Sequence, residues 1–170
     1  MSEDGLTGLH DRRAFLLALR RQIGMANEKQ SSVALAVVDI DGFANINGMH
    51  GFDVGDRVLK FLALRLGEVA RPQDYLARIG DNRFALTLPR IMNQGHAELA
   101  VQKLFRLLDL PFEHGPTRVK LVVTVGVALC PLHASHAEFL LRLAERALAT
   151  ARSEGRHVGF PPDAAKEDAL

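Results

Sequence analysis

The spacing of apolar residues changes several times along the chain, and each change marks an element. Residues 11–26 place Phe15, Leu16, Leu19 and Ile23 at helical spacing among arginines, which predicts an amphipathic first helix. Residues 33–40 form an unbroken Val-rich apolar run, the pattern of a central strand buried on both faces, ending in charge at Asp39 and Asp41. Residues 41–56 are dense in Gly, Asn and Asp and read as a loop. A second helix follows on Val54, Val58, Leu62, Leu66 and Val69 and is closed by Pro72. Residues 75–79 and 84–88 read as two short strands around the polar turn Gly80-Asp81-Asn82-Arg83, a hairpin. Residues 94–108 predict a third helix, residues 119–129 one long strand, residues 136–153 a fourth helix, and residues 157–160 a last short strand. The polar tail 161–170 reads as a linker. The order α-β-α-β-β-α-β-α-β implies an α/β sandwich, with helices packed on a single sheet.

Composition narrows the classes. The 170 residues amount to one domain, and 48% apolar with 24% charged residues is the balance of a packed globular chain. Lys plus Arg number 21 against 20 Asp plus Glu, a net charge of +1, which excludes a strongly basic nucleic-acid binder and a polyacidic tail. Cys130 is the single cysteine, so no internal disulfide forms, and a cytoplasmic setting is expected. The N-terminus is charged where a signal peptide needs an apolar run, and the longest apolar runs are too short to span a bilayer, so this segment is expected to lie outside a membrane.

Candidate chemistry concentrates in two places. Asp39 and Asp41 end a buried strand beside a Gly-rich loop, a common way to hold Mg²⁺ over a phosphate; only one of the two carboxylates is expected to face a given site. The plainer reading is two aspartates that end a strand and begin a turn. The hairpin tip at Gly80–Arg83 supplies a second candidate ligand or an ordinary polar turn. His133 and His136, three apart with no third ligand nearby, read as solvated or capping histidines, and Cys130 as a small buried residue.

Five ordered blocks carry a resemblance. Residues 4–15 (DGLTGLHDRRAF), 39–59 (DIDGFANINGMHGFDVGDRVL), 76–86 (LARIGDNRFAL), 123–129 (VTVGVAL) and 144–158 (AERALATARSEGRHV) resemble, in order, the motifs of GGDEF domains, the diguanylate cyclase family. The resemblance implies a degenerate GGDEF domain over residues 1–160. Its fold would be α/β (α+β), a ferredoxin-like nucleotide-cyclase palm with a mainly antiparallel five-stranded sheet flanked by helices. In that family two domains each hold one GTP with Mg²⁺ and join them into cyclic di-GMP. Carried over by position, Asp39 and the Ile40 carbonyl match metal ligands. Gly42 and Phe43 match backbone phosphate contacts, and Asn47 and Asp56 match the pair that reads guanine. Arg152, where the family usually has Lys, and Arg156 match cations at the phosphate tail.

The departures fall on the signature. Gly-Gly-Asp-Glu-Phe reads Gly80-Asp81-Asn82-Arg83-Phe84 here. Asp81 adds bulk and negative charge near phosphate, Asn82 loses the charge a hard cation prefers, and Arg83 reverses a sign. Ala44 stands where the family has a phosphate-side Lys, and Asp11 where its opening motif has Asn. Each interaction worth about 1.4 kcal/mol that the transition state loses slows the reaction tenfold. The expectation is therefore a domain without cyclase activity, with no required cofactor and Mg²⁺ only if GTP binds.

Arg71-Pro72-Gln73-Asp74 matches the family's RxxD site, which binds cyclic di-GMP through Arg forks and an Asp acceptor. The plainer reading is a loop ion pair, and Arg90 and Arg106 are candidates for a second arginine. Three readings stay open. A regulatory module in cyclic di-GMP signalling would bind GTP or cyclic di-GMP, form a homodimer, and adjust a linked EAL phosphodiesterase or another partner. The others are a divergent active cyclase and an interaction module that binds no nucleotide.

Overall fold

The computed structural model describes residues 2–162. Asp11 starts α1 (Arg12–Glu28) as an N-cap, its carboxylate accepting from Ala14 N at 2.9 Å, the bond an Asp in that position is suited to make. The element order continues with β1 (Val33–Ile40), α2 (Phe43–His50), α3 (Phe52–Val69), β2 (Leu76–Arg78), β3 (Arg83–Pro89) and α4 (Gln94–Leu107). It ends with β4 (Phe112–His114), β5 (Thr117–Val119), β6 (Val123–Cys130), α5 (Ala137–Ser153) and β7 (Val158–Gly159).

Five strands form one sheet in the order β2-β3-β1-β6-β7, antiparallel throughout except for the parallel β6–β7 pair. This is the mainly antiparallel, helix-flanked five-stranded sheet that the resemblance implies. Both central strands, β1 and β6, are buried at every position, which is why they read as continuous apolar runs rather than alternating ones. On one face, Ala36, Val38 and Ile40 of β1 pack with Val58, Leu62 and Leu66 of α3. On the other, Val33, Leu35 and Val37 pack with Phe15 and Leu19 of α1 and Leu140 and Leu148 of α5. Each Val, Leu, Ile or Phe among them contributes about 1.5–3 kcal/mol by leaving water, so the two faces together fix the register of β1.

Three expectations are corrected here. Residues 43–50 are helix rather than loop: Phe43 and Ile46 lean on the core one turn apart, and glycines 42 and 51 bound the helix. The single strand expected at 119–129 is two elements. Thr117–Val119 pairs with Phe112–His114 in a separate hairpin, and β6 begins only at Val123. His133 is buried rather than solvated, its Nδ1 accepting from Leu129 N at 2.9 Å. Of the tail expected as a linker, Pro161 is buried, and residues 163–170 lie outside the described part. No helix among the described residues is long and apolar enough to cross a membrane.

Candidate functional site

A pocket of about 620 Å³ opens where β1 ends, between α2, α3 and the β2–β3 hairpin tip. The fold brings most of the predicted nucleotide residues to it: Ile40, Gly42, Phe43, Asn47, Asp56 and Arg152, with Asp81 and Asn82 from the tip. Gly42 adopts φ 67°, the left-handed conformation that costs a glycine nothing, and sets the start of α2. Asn47 sits against Gly55, where an added Cβ would lie 1.8 Å from Asn47 Oδ1 and force that side chain to move. Asn47 Oδ1 is buried against Gly55 and has no hydrogen-bond partner among the described residues.

Behind the pocket lies a dense ionic network. Asp39, 5% exposed, faces Arg83 across the β1–β3 register. Arg83 grips it side-on, Nε to Oδ1 at 2.7 Å and Nη2 to Oδ2 at 2.9 Å, and its Nη1 reaches Glu145 Oε2 on α5 at 2.7 Å. Arg152 donates to Asp39 Oδ2 at 3.2 Å and to Asp41 Oδ1 from Nη2 at 2.7 Å and Nε at 3.0 Å. Thr124 also donates to Asp41, at 2.9 Å, and Arg12 approaches Glu145 at 3.8 Å. Three guanidiniums thus face three carboxylates. Hydrogen bonding to Asp39 raises the Arg83 pKa above its already high value, against the opposing pull of partial burial, so Arg83 stays charged at any ordinary pH.

This geometry corrects one expectation. Asp39 and Asp41 meet the same arginine and therefore share a side, as residues two apart on a strand do. Arg156 stands apart from the pocket: it pairs with Glu154 and donates to Val158 O at 2.9 Å. Phe84, the last residue of the signature, is fully buried in the core. Sequence reading missed Glu145, Thr124 and Arg78. Glu145 lies two helical turns before Arg152, a spacing that puts both on one face of α5 and was the available signal. Arg78 ties the tip down, donating to Asp81 O at 2.7 Å and to Asp4 Oδ1 at 3.1 Å.

The residues that the resemblance assigns to a metal do not fit one. The Asp39 carboxylate is covered by two guanidiniums, and the Ile40 carbonyl accepts from Asn82 Nδ2 at 3.2 Å. Asn82 thereby presents a donor to the position where a divalent cation requires an oxygen ligand. Among the described residues no group of three or more His, Cys, Asp or Glu is arranged to hold a metal ion.

Away from the pocket, Arg71 and Asp74 close on each other. Asp74, whose side chain is fully buried, accepts from Arg71 N at 2.8 Å and from Nη2 at 3.0 Å, while Arg71 Nη2 also donates to Pro89 O at 2.8 Å. The pair pins the α3–β2 loop to the end of β3. Arg90, next to Pro89, lies close to it; Arg106 belongs to the last turn of α4.

The sequence model described as "Diguanylate cyclase, GGDEF domain" matches residues 1–158. The chain belongs to the GGDEF family. It is 32% identical over 162 residues to the probable diguanylate cyclase DgcC of Escherichia coli, covering 92% of this chain and 42% of that protein. It is 31% identical over 153 residues to the cyclic di-GMP phosphodiesterase PdeR of the same organism, covering 90% and 23%. The chain thus spans less than half the length of these relatives. Among solved structures, the isolated GGDEF domain of TpbB (YfiN) from Pseudomonas aeruginosa superposes with a TM-score of 0.92 at 28% identity, covering 99% of both chains. The GGDEF domain of DgcB from Caulobacter crescentus in complex with c-di-GMP gives 0.85 at 28% identity, covering 93% and 92%.

Proposed function

We propose that this GGDEF domain does not synthesise cyclic di-GMP and acts as a regulatory module in cyclic di-GMP signalling. One observation carries the reading: each position matched to a metal ligand is already engaged by an N–H donor, Asp39 by Arg83 and Arg152, and the Ile40 carbonyl by Asn82. A divalent cation would have to displace guanidiniums from a nearly buried carboxylate. Each ~1.4 kcal/mol that this displacement costs lowers the rate about tenfold. Asn82 and Arg83 offer the cation no compensating charge.

The nucleotide pocket itself is retained. Asn47 keeps an unsatisfied acceptor, Asp56 lines the same wall, and α2 directs its N-terminus into the pocket, where an anion is favoured. We read it as a GTP-sensing pocket whose occupancy is passed to a linked domain or partner. An EAL phosphodiesterase fits that role, since one relative is named a cyclic di-GMP phosphodiesterase and a solved EAL/GGDEF domain protein shares the fold with a TM-score of 0.76 at 31% identity. No cofactor is required in this reading, and Mg²⁺ would enter only with GTP.

The test is a product assay. Purified protein with GTP and Mg²⁺ or Mn²⁺, followed by chromatography, is expected to yield no cyclic di-GMP above the protein-free blank. Turnover that responds to Asp39→Ala would defeat the proposal.

A further inference from the structure

At the opposite end of the β1–β3 pair lies a second cavity, of about 550 Å³, between the last turns of α1, the α1–β1 loop and the start of β2. Its volume is in the range of small-molecule sites. Three cations line it, Arg21, Lys29 and Arg90, and among the described residues that line it none is acidic. None of the three joins an ion pair among the described residues, whereas Arg71, Arg78, Arg83, Arg152 and Arg156 are all paired. Like charges collected around a concave surface repel one another unless an anion joins them.

One observation points to a ligand. Gln22 is 9% exposed and lines the cavity; its Nε2 donates to Gln73 O at 3.0 Å, but its Oε1 is buried without a partner. A buried acceptor left open asks for an N–H or O–H donor. Arg90 holds φ 63°, a left-handed backbone in the turn that follows β3, as Gln30 does with φ 51° after α1. The walls are already pinned, with Arg90 N donating to Ser32 O at 2.7 Å and Ser32 Oγ bonded to Ile91 O. Tyr75 and Met25 add flat and apolar surface.

We propose that this cavity binds a phosphorylated small molecule of mononucleotide size, with Arg21, Lys29 and Arg90 meeting the phosphate and Gln22 Oε1 accepting from an N–H or O–H donor on its body. The site is separate from the Asn47 pocket, and neither Arg71 nor Asp74 lines it. It does not depend on the reading given above for that pocket.

The probes are GMP, AMP and inorganic phosphate, titrated calorimetrically into the whole chain and followed by amide chemical shifts. A mononucleotide is expected to shift Arg21, Gln22, Lys29 and Arg90, separately from any shifts GMP causes at residues 42–56. Arg90→Gly accepts the left-handed backbone and so keeps the fold; it is expected to weaken binding at least tenfold. Gln22→Leu is expected to bring mononucleotide affinity at this cavity down to that of phosphate. The proposal is overturned by absence of heat and shifts with every probe at millimolar concentration. It is equally overturned if every shift falls on residues 42–56 and none on Arg21, Gln22, Lys29 or Arg90, or if Arg90→Gly keeps the parent's shifts at Arg21, Gln22 and Lys29. Phosphate binding as tightly as either mononucleotide would remove the role given to Gln22.

Discussion

The two ends of one strand pair treat charge in opposite ways. Where Asp39 faces Arg83, guanidiniums and carboxylates are matched and half withdrawn from water. Where Val33 faces Pro89, the neighbouring Arg21, Lys29 and Arg90 have no acidic counterpart in the cavity they line. At the Asp39 end each carboxylate has its own guanidinium partner within the protein. In the proposed reading those guanidiniums stand where an active cyclase would hold its metal ion. At the far end positive charge remains open to a ligand.

The sharpest way to break this contrast is Arg83→Ala. It strips the side-on partner from a nearly buried Asp39 and releases Glu145, so stability should fall by about 3 kcal/mol, read as a shift of the urea midpoint. A loss below about 1 kcal/mol would mean the network behaves as a surface ion pair and does not hold this end together. Arg71→Ala should cost less, about 1–2 kcal/mol, because Arg71 is partly exposed and Asp74 keeps the Arg71 backbone N–H. Cyclic di-GMP calorimetry on the same variant decides whether that pair is also a binding site. Heat present in the parent and absent in Arg71→Ala establishes it; no heat in either leaves the pair as a loop clasp.

The smallest effect belongs to the strap behind the hairpin tip. Burial pushes the Asp4 carboxyl up, but hydrogen bonds from the Thr7 hydroxyl and amide, together with Arg78, outweigh it and hold the pKa below the usual 3.8. A carboxyl depressed in the folded state contributes stability above its unfolded pKa and loses it as pH falls through the folded one. Asp4→Asn should therefore be less stable than the parent at pH 7, with the gap closing as the pH drops below 3.8, measured by denaturant midpoints across that range. A gap that persists to the lowest pH would show that Asp4 acts through shape rather than charge.

Much of this could be read in one dimension. The buried strands β1 and β6, the stripes of α3 and α5 and the hairpin around Gly80 all follow from local period and turn residues. The helix at Phe43–His50 escaped because Gly, Asn and His dilute its short apolar stripe, although Phe43 and Ile46 stand one turn apart. The β4–β5 hairpin escaped because its strands are only three residues each. Of the site, Asp39, Asn47, Asp56 and Arg152 were legible from their motif positions, and the substitutions Asn82 and Arg83 were visible as departures.

What those substitutions accomplish was not visible. Spacing along the chain says that a charge has been reversed at residue 83; it does not say that the new guanidinium lies in register with Asp39, or that Glu145 waits 62 residues further on to take its third N–H. Likewise Arg21, Lys29 and Arg90 are scattered in sequence and line one cavity only because the last turns of α1 lie beside the start of β1 and the end of β3. Helices and strands are dictated by neighbours a few residues apart, and so are written locally. Which charges cancel and which stay open depends on distances of about 3–4 Å between segments far apart in the chain, and packing alone sets those.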